Sequence, residues 1–531
     1  MSNFFVTNSI KVPLGHNVLD VKSKIARLLG VREKDVKSLA LKKQSVDARD
    51  KGNVHFVCSY VVETDKSLVK NALPYVEPQD LFQKPREPAL HKKCIVVGSG
   101  PSGLFLARYL AQQGVQVTVI ERGADVEQRQ QSVKTYFEGG EFNAETNVQF
   151  GLGGAGTFSD GKLTTGISSP LLNTVFSEFV RCGAPKDILT DSLPHIGTDK
   201  LVSVVANVRN EITSLGGEFL FNTFVSHVVI QNGKAVGVCV RLNGEERVLL
   251  ADCVALCCGH SSRELFATLA QKGVEMQFKP FAVGLRVEHT REFINKTQYG
   301  ELFATHKDLG AASYKLVNNL GNHSCYSFCM CPGGVVVAAN SQENTVVVNG
   351  MSNYLRNAQN SNSALVVTVS QQDVANFGFG GVLSGMDFQI ALEKQAYLLG
   401  GGNYKAPFQN VTDFLAGKTS KTPDVTPSYP RGVTAANFAN LFPREICEVL
   451  QQSLETFNGK MKNFARCGVL TGVESRTSSP VKIVRNTTTL QSSVEALFPV
   501  GEGAGYAGGI ASSAVDGLKS AQAIVDFLKN C

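Results

Sequence analysis

The chain has 531 residues, 43% of them hydrophobic and 18% charged, which excludes wholesale disorder and leaves room for about three to four structural units. Its net charge of +6 is unevenly spread: residues 1–93 hold 17 Lys and Arg against 10 Asp and Glu, or +7, and the remaining 438 residues carry −1. No apolar run approaches the ~18–20 residues of a membrane span, the N-terminus lacks a basic stretch followed by an apolar one, and 13 irregularly spaced cysteines read as reduced thiols. The expectation is a cytoplasmic protein, with an organelle as the alternative, and no membrane partner.

Residues 3–13 alternate apolar and polar, Val18 to Leu29 repeats at helical spacing, and Val54 to Val62 reads as a strand. A small basic α+β unit is expected over 1–70. Its Lys and Arg are scattered, so a solvated face is the plain reading and a nucleic-acid surface within 1–93 the alternative. Pro74, Pro78, Pro85 and Pro88 mark 71–93 as a linker or strap.

The apolar run Cys94 to Val97 leads straight into Gly98-Ser99-Gly100-Pro101-Ser102-Gly103, a G-x-G-x-x-G. Leu104 to Gln113 has helical spacing, Gly114 stops it, and Val115 to Ile120 forms a second strand closed by Glu121 and Arg122. Each part has a physical use. Gly98 makes the tight turn, Gly100 lets the backbone approach a pyrophosphate, and Gly103 lets the helix pack on the strand. The helix N-terminus receives the phosphates, and Glu121 accepts bonds from a ribose.

A second glycine loop, Gly151 to Thr157, contains Gly153, Gly154 and Gly156 and continues as Phe158-Ser159-Asp160-Gly161-Lys162. It suits a backbone nest against an anion or a flat ring. Thr198-Asp199 caps an expected helix over 200–215, and Glu218 to Ile230, including Val225, reads as one strand. Asn232-Gly233 and Asn243-Gly244 signal hairpins. The strand Cys253 to Cys258 ends in Gly259-His260, with Cys257 and Cys258 expected to pack one face each.

Near the C-terminus, Leu497 to Val500 leads to Gly501-Glu502-Gly503, then Gly508-Gly509-Ile510 and a helix over 511–527. This second strand–glycine–helix unit places Glu502 on ribityl or phosphate hydroxyls. No second complete strand–glycines–helix–strand–Glu fingerprint occurs downstream, so one dinucleotide fold with a distant glycine-rich partner fits FAD better than two nucleotide domains.

The stretches NVQFGLGGAGTFSDGKL (147–163), PHIGTDKL (194–201), FCMCPGG (328–334), ESRTSSPVKI (474–483) and GEGAGYAGGIASSAVDG (501–517) carry a resemblance. On them, residues 94–531 resemble a family of FAD-dependent dehydrogenases related in fold to glutathione-reductase-type flavoproteins. The first unit, with Ser45 to Arg49, is similar to the one attached in that family. The family pattern has Glu at Leu152, Thr at Ser475 and Arg at Lys482, so Leu152 removes a carboxylate from beside the flavin loop. The resemblance implies bound FAD and a redox role, with no substrate named.

The expected architecture is α/β: a glutathione-reductase-type Rossmann FAD domain with a β-meander, over 94–274 and 466–531, and a mixed α+β substrate or cap domain over 275–465. Candidate catalytic residues are His195 and His260, as acid/base groups beside glycines, and Lys162 and Arg476, as cations for reduced flavin or an acidic substrate. His323, Cys325, Cys329 and Cys331 lack the C-x-x-C of a zinc or iron–sulfur framework, so no metal is assigned. Apolar packing is the plain reading of these cysteines, and a redox-active thiol the alternative. Met351 to Asn362 is expected to line the substrate mouth. The function read from the sequence is an FAD-dependent oxidoreductase acting on a small molecule, with NAD(P)H as a candidate donor. The alternatives are an NAD(P)H-using flavin monooxygenase and an FAD-containing RNA- or partner-binding protein.

Overall fold

The computed structural model describes residues 3–17, 20–83, 87–242 and 244–531. Val18, Pro85 and Asn243, which enter the helix, linker and hairpin expectations, lie outside the described residues. In the first unit, Asn3–Thr7 and Ile10–Pro13 pair end to end with His55–Thr64, whose other side pairs with Ser38–Asp47. The helix Lys22–Leu29 buries Ile25, Ala26 and Leu29 among Phe56, Cys58, Tyr60 and Val62. It stops at Gly30, whose φ of 70° is left-handed. The expected linker differs at its start: Ala72–Pro74 is a strand beside Asn3–Thr7, so the sheet extends past residue 70. Main-chain bonds join this unit to the rest, Gln44 N–H to Thr190 O at 2.7 Å and Ser192 N–H to Gln44 O at 2.9 Å.

The second unit is built on five parallel strands in the spatial order Leu497–Pro499, Cys253–Leu256, Lys93–Val97, Gln116–Ile120 and Glu218–Leu220. Alternation divides its residues between two cores. Cys94, Val96, Val119 and Ala255 face the helices Pro101–Gln112 and Ile510–Lys529. Ile95, Val97, Ile120 and Leu256 face a three-stranded antiparallel sheet of Phe224–Gln231, Lys234–Leu242 and Glu245–Leu250. The single strand expected over 218–230 is thus two. Asn222, at φ 52°, breaks it between the parallel sheet and the antiparallel one.

The third unit is a seven-stranded sheet ordered Val317–Leu320, His323–Cys331, Asn360–Val369, Phe281–Thr290, Val469–Glu474, Ala406–Asn410 and Val433–Ala435. Only its last pair is parallel. Val283, Leu285, Val287, Leu365 and Val367 face the helices Ser384–Leu399 and Arg444–Lys460. Arg286, at the alternate position, faces the cleft side. The sheet includes Val469–Glu474, beyond the expected limit at 465.

Candidate functional site

The parallel strands Lys93–Val97, Cys253–Leu256 and Leu497–Pro499 end at one edge, and each continues into a glycine-containing loop. A cleft of about 370 Å³ opens there, walled on the far side by Phe328, Cys329, Asn349, Glu474, Arg476 and Thr477. Gly98 turns at φ 101°, where a Cβ would stand 2.4 Å from Cys257 O. The helix Pro101–Gln112 begins at Gly100 with no side-chain cap, and Ile510–Lys529 begins likewise at Gly509. Both N-termini therefore offer free N–H groups and positive dipole ends.

The second glycine loop is shaped by Arg129, which is 1% exposed. All five of its N–H donors are used: Nε to Asn147 O at 3.1 Å, Nη1 to Gly151 O at 3.1 Å and Leu152 O at 2.6 Å, Nη2 to Val148 O at 3.0 Å and Gly154 O at 2.9 Å. Burial pushes this guanidinium down to about 10. The loop so held brings Gly154 against Gly100, and a Cβ on Gly154 would stand 3.1 Å from Gly100 Cα. Glu121 braces both loops. Its carboxylate accepts from Ser99 N–H at 3.0 Å, Ser99 Oγ at 2.7 Å, and the Gly123 and Gly151 N–H groups at 2.9 Å. Arg122 lies over Phe150 and Phe224, at 4.5 and 4.8 Å, and pairs with Glu145 and Glu264.

Most sequence candidates line the cleft: Gly98 to Ser102, Glu121, Arg122, Gly154, Gly156, Ser159 to Lys162, Val225, Cys258, Gly259, His260, Arg476, Glu502 and Gly508 to Ile510. Four candidates stand behind it. Gly103 packs helix on strand, where a Cβ would stand 2.0 Å from Gly98 O. Thr157 bonds Leu152 O and accepts from Thr198. Gly501 donates its N–H to Asp516, and a Cβ there would stand 2.6 Å from Ser102 Oγ. His195 accounts for the fourth correction: its Nε2 is 2.9 Å from Tyr354 O and its ring stacks on Tyr354. Burial lowers its pKa.

Three further expectations are corrected. Cys257 and Cys258 follow the strand Cys253–Leu256 instead of packing within it, and both line the cleft. Met351 to Asn362 lines none of it. Leu152 is fully buried in the helix-side core, so the missing carboxylate is not missing from the cleft wall.

Arg476 is not a free cation. It pairs with Glu393 at 2.8 Å and donates to Ser341 and Ser261, while Arg263 holds the other side of Glu393 at 2.7 Å. Against burial, the two guanidinium groups hold the Glu393 carboxyl well below its usual range. Burial, with Arg476 and Arg263 nearby, pushes His260 down to about 3. It is a neutral imidazole whose Nδ1 meets Ser261 Oγ at 3.0 Å. Lys162 pairs with Asp160 at 2.9 Å, and Asp160 also binds Arg356 and Ser352. Burial pushes Glu502 up to about 7, against the pull of Lys279. Sequence reasoning missed Phe328, Asn349, Glu474 and Thr477 as lining residues, and Arg129 as the loop's anchor.

The residues present fit FAD: two uncapped helix N-termini, facing glycine loops that a Cβ would narrow, and a stacked Arg122 at one end. The fold and cleft define an FAD-binding protein. Residues 92–135 match an FAD-binding domain family, 280–477 match the family described as FAD-dependent protein, C-terminal domain-like, and 6–63 match a domain of unknown function. An uncharacterised protein of Clostridium beijerinckii is 41% identical over 532 residues, covering 98% of each chain. The chain belongs to this family of FAD-dependent flavoproteins. Solved structures similar to it include a flavin-dependent brominase (10% identity, TM-score 0.38, covering 83% of this chain and 80% of the other). Another is a geranylgeranyl bacteriochlorophyll reductase-like protein of Thermoplasma acidophilum (13%, 0.38, 83% and 79%). Among the described residues no helix is long and apolar enough to cross a membrane.

Proposed function

We propose that this chain is an FAD-dependent oxidoreductase whose FAD domain has the glutathione-reductase-type layout, split by the substrate-binding unit. One observation carries the reading: the cleft has glycine loops and helix N-termini on one wall and, on the other, Cys329 and Glu474 of the seven-stranded sheet with Asn349 of a separate two-stranded one. When bound there, FAD supplies the two-electron chemistry. The N-termini of Pro101–Gln112 and Ile510–Lys529 receive the pyrophosphate and the ring edge. Glu121, which lines the cleft while bracing both loops, would accept from a ribose hydroxyl. Glu502, pushed up to about 7 by burial, would face ribityl or phosphate oxygens. Lys162 stays charged, because Asp160 offsets its burial, and faces charge that builds up on reduction. His260, pushed down to about 3, stays a neutral imidazole that can orient a ligand by hydrogen bonding but does not take up a proton at neutral pH.

The test is anaerobic mixing of the FAD-loaded protein with NADH, NADPH, hydroxy acids and amines, following bleaching of the flavin. One class should reduce the bound flavin much faster than free FAD. Failure of every class sinks the reading, and oxygen uptake that requires both NAD(P)H and a substrate would move it to a monooxygenase.

A further inference from the structure

The strand His323–Cys331 does not run regularly to its end. Its pairing with Asn360–Val369 slips between Phe328 and Cys331, and at the slip Cys329 has φ 43°. A side chain rarely adopts this left-handed backbone, and strained positions of this kind collect at functional sites. The effect is specific: Phe328 and Cys329 reach the cleft wall, while Cys331 lies fully buried directly behind. Residues two apart in a regular strand have Cα atoms about 6.6 Å apart, near the outer limit for a disulfide. The bulge breaks that extension, and the Cys331 thiol already donates back to Cys329 O at 3.3 Å.

The pair is set among cations. Arg286, 0% exposed, places Nη1 3.3 Å from Cys329 O and 4.0 Å from Cys331 Sγ, and Glu474 and Asn362 hold it there. Lys162, of the second glycine loop, lines the cleft together with Cys329, and its charge acts on both thiols.

We propose that Cys329 and Cys331 form a redox-active dithiol/disulfide pair that exchanges two electrons with FAD in the cleft. In the oxidising direction an S–S bond forms between the Cys329 thiolate and the Cys331 thiol. The pair loses two electrons and the Cys331 proton. Oxidised FAD takes both electrons and that proton and becomes FADH⁻, so charge and hydrogen balance. In the reverse direction the reduced flavin opens the disulfide. Cys329 is set apart from its neighbours: the adjoining Cys331 thiol, together with Lys162 and Arg286, outweighs burial and lowers its pKa. Burial instead pushes Cys325 up to about 12 and Cys258 up to about 11. A lowered thiol is the one that attacks and leaves readily in exchange.

The proposal rests on bound FAD, and its physiological use rests on the oxidoreductase reading. Two measurements on the FAD-loaded full chain test it. Anaerobic dithionite titration should need about four electrons per FAD for complete bleaching in the wild type and about two in Cys331→Ser, since disulfide and flavin are each two-electron couples. In the air-oxidised wild type, alkylation under denaturing conditions should leave Cys329 and Cys331 unmodified and two hydrogens lighter. Cys325, on the same tryptic peptide, should be modified. The second measurement needs no variant, so a misfolded Cys331→Ser costs nothing. A wild-type end point of two electrons per FAD, with both cysteines alkylated, overturns the proposal. A protein showing the four-electron end point that no donor class reduces would refute only the oxidoreductase reading.

Discussion

Replacing Arg129 with Met removes the group that holds the second glycine loop. Five carbonyls lose a donor at once. Gly151 O, Leu152 O and Gly154 O keep a second one, in Gly154 N–H, Thr157 Oγ1 and Thr157 N–H, whereas Asn147 O and Val148 O are stranded. At about 1 kcal/mol for each stranded buried acceptor the loss is at least about 2 kcal/mol. For the FAD domain it corresponds to a drop of about 4 °C or more in melting temperature. Arg129→Lys keeps the charge and offers three donors, so it can still serve one of the stranded carbonyls and costs about 1 kcal/mol. Calorimetry of the wild type and both variants, with flavin absorbance per protein, should give the order wild type, Lys, Met in both stability and retained FAD. If Arg129→Met melts within about a degree of the wild type and keeps its full FAD, the loop is not held as described.

Two further outcomes follow from the geometry. Gly100→Ala should fold normally, because its Cβ stands 4.0 Å from Gly154 Cα, yet bind FAD more weakly, because the methyl group occupies the pyrophosphate approach; unchanged FAD affinity in equilibrium titration would contradict this. His289 donates through Nε2 to Phe464 O at 2.8 Å, and its Nδ1 is buried without a partner, so burial pushes it down to about 4. Its folded pKa lies below the unfolded value of about 6.5. Its contribution is therefore complete above pH 6.5 and is lost as pH falls toward 4, by about 3 kcal/mol in all. Melting temperature measured across that range should fall for the wild type and fall less for His289→Gln.

The first βαβ unit was legible because its signals are local: a buried run, three glycines at fixed spacing and a helix stop all lie within 30 residues of Cys94. The cleft's other wall was not. Phe328, Asn349 and Glu474 come from separate strands, and which of their faces meets the cleft depends on register, including a bulge that no periodicity announces. Arg476 looked like an available cation because its partner, Glu393, lies 83 residues upstream on a helix. His195 sits beside Gly197 in sequence, but its ring is committed to Tyr354, 159 residues away. Arg129 carried no signal either, since a polar residue in a helix reads as surface until the loop folds over it. The break at Asn222 was hidden because both flanking segments have strand composition.

The parallel sheet has a consequence for the order in which the molecule is made. Cys253–Leu256 is flanked by Lys93–Val97 on one side and by Leu497–Pro499 on the other, and about 400 residues separate those two neighbours. Between Cys253–Leu256 and the last strand lie about 240 residues, so at about 5–20 residues per second the ribosome delivers that partner on the order of 10–50 s later. During that interval the fully apolar strand Cys253–Leu256 has a bare edge, the kind that invites pairing with another chain. The uncapped terminus at Gly509 is also still to come. The nucleotide pocket is therefore completed only once residues 497–510 have been made, and a truncation anywhere before residue 497 leaves the apolar strand Cys253–Leu256 with an unpaired, aggregation-prone edge.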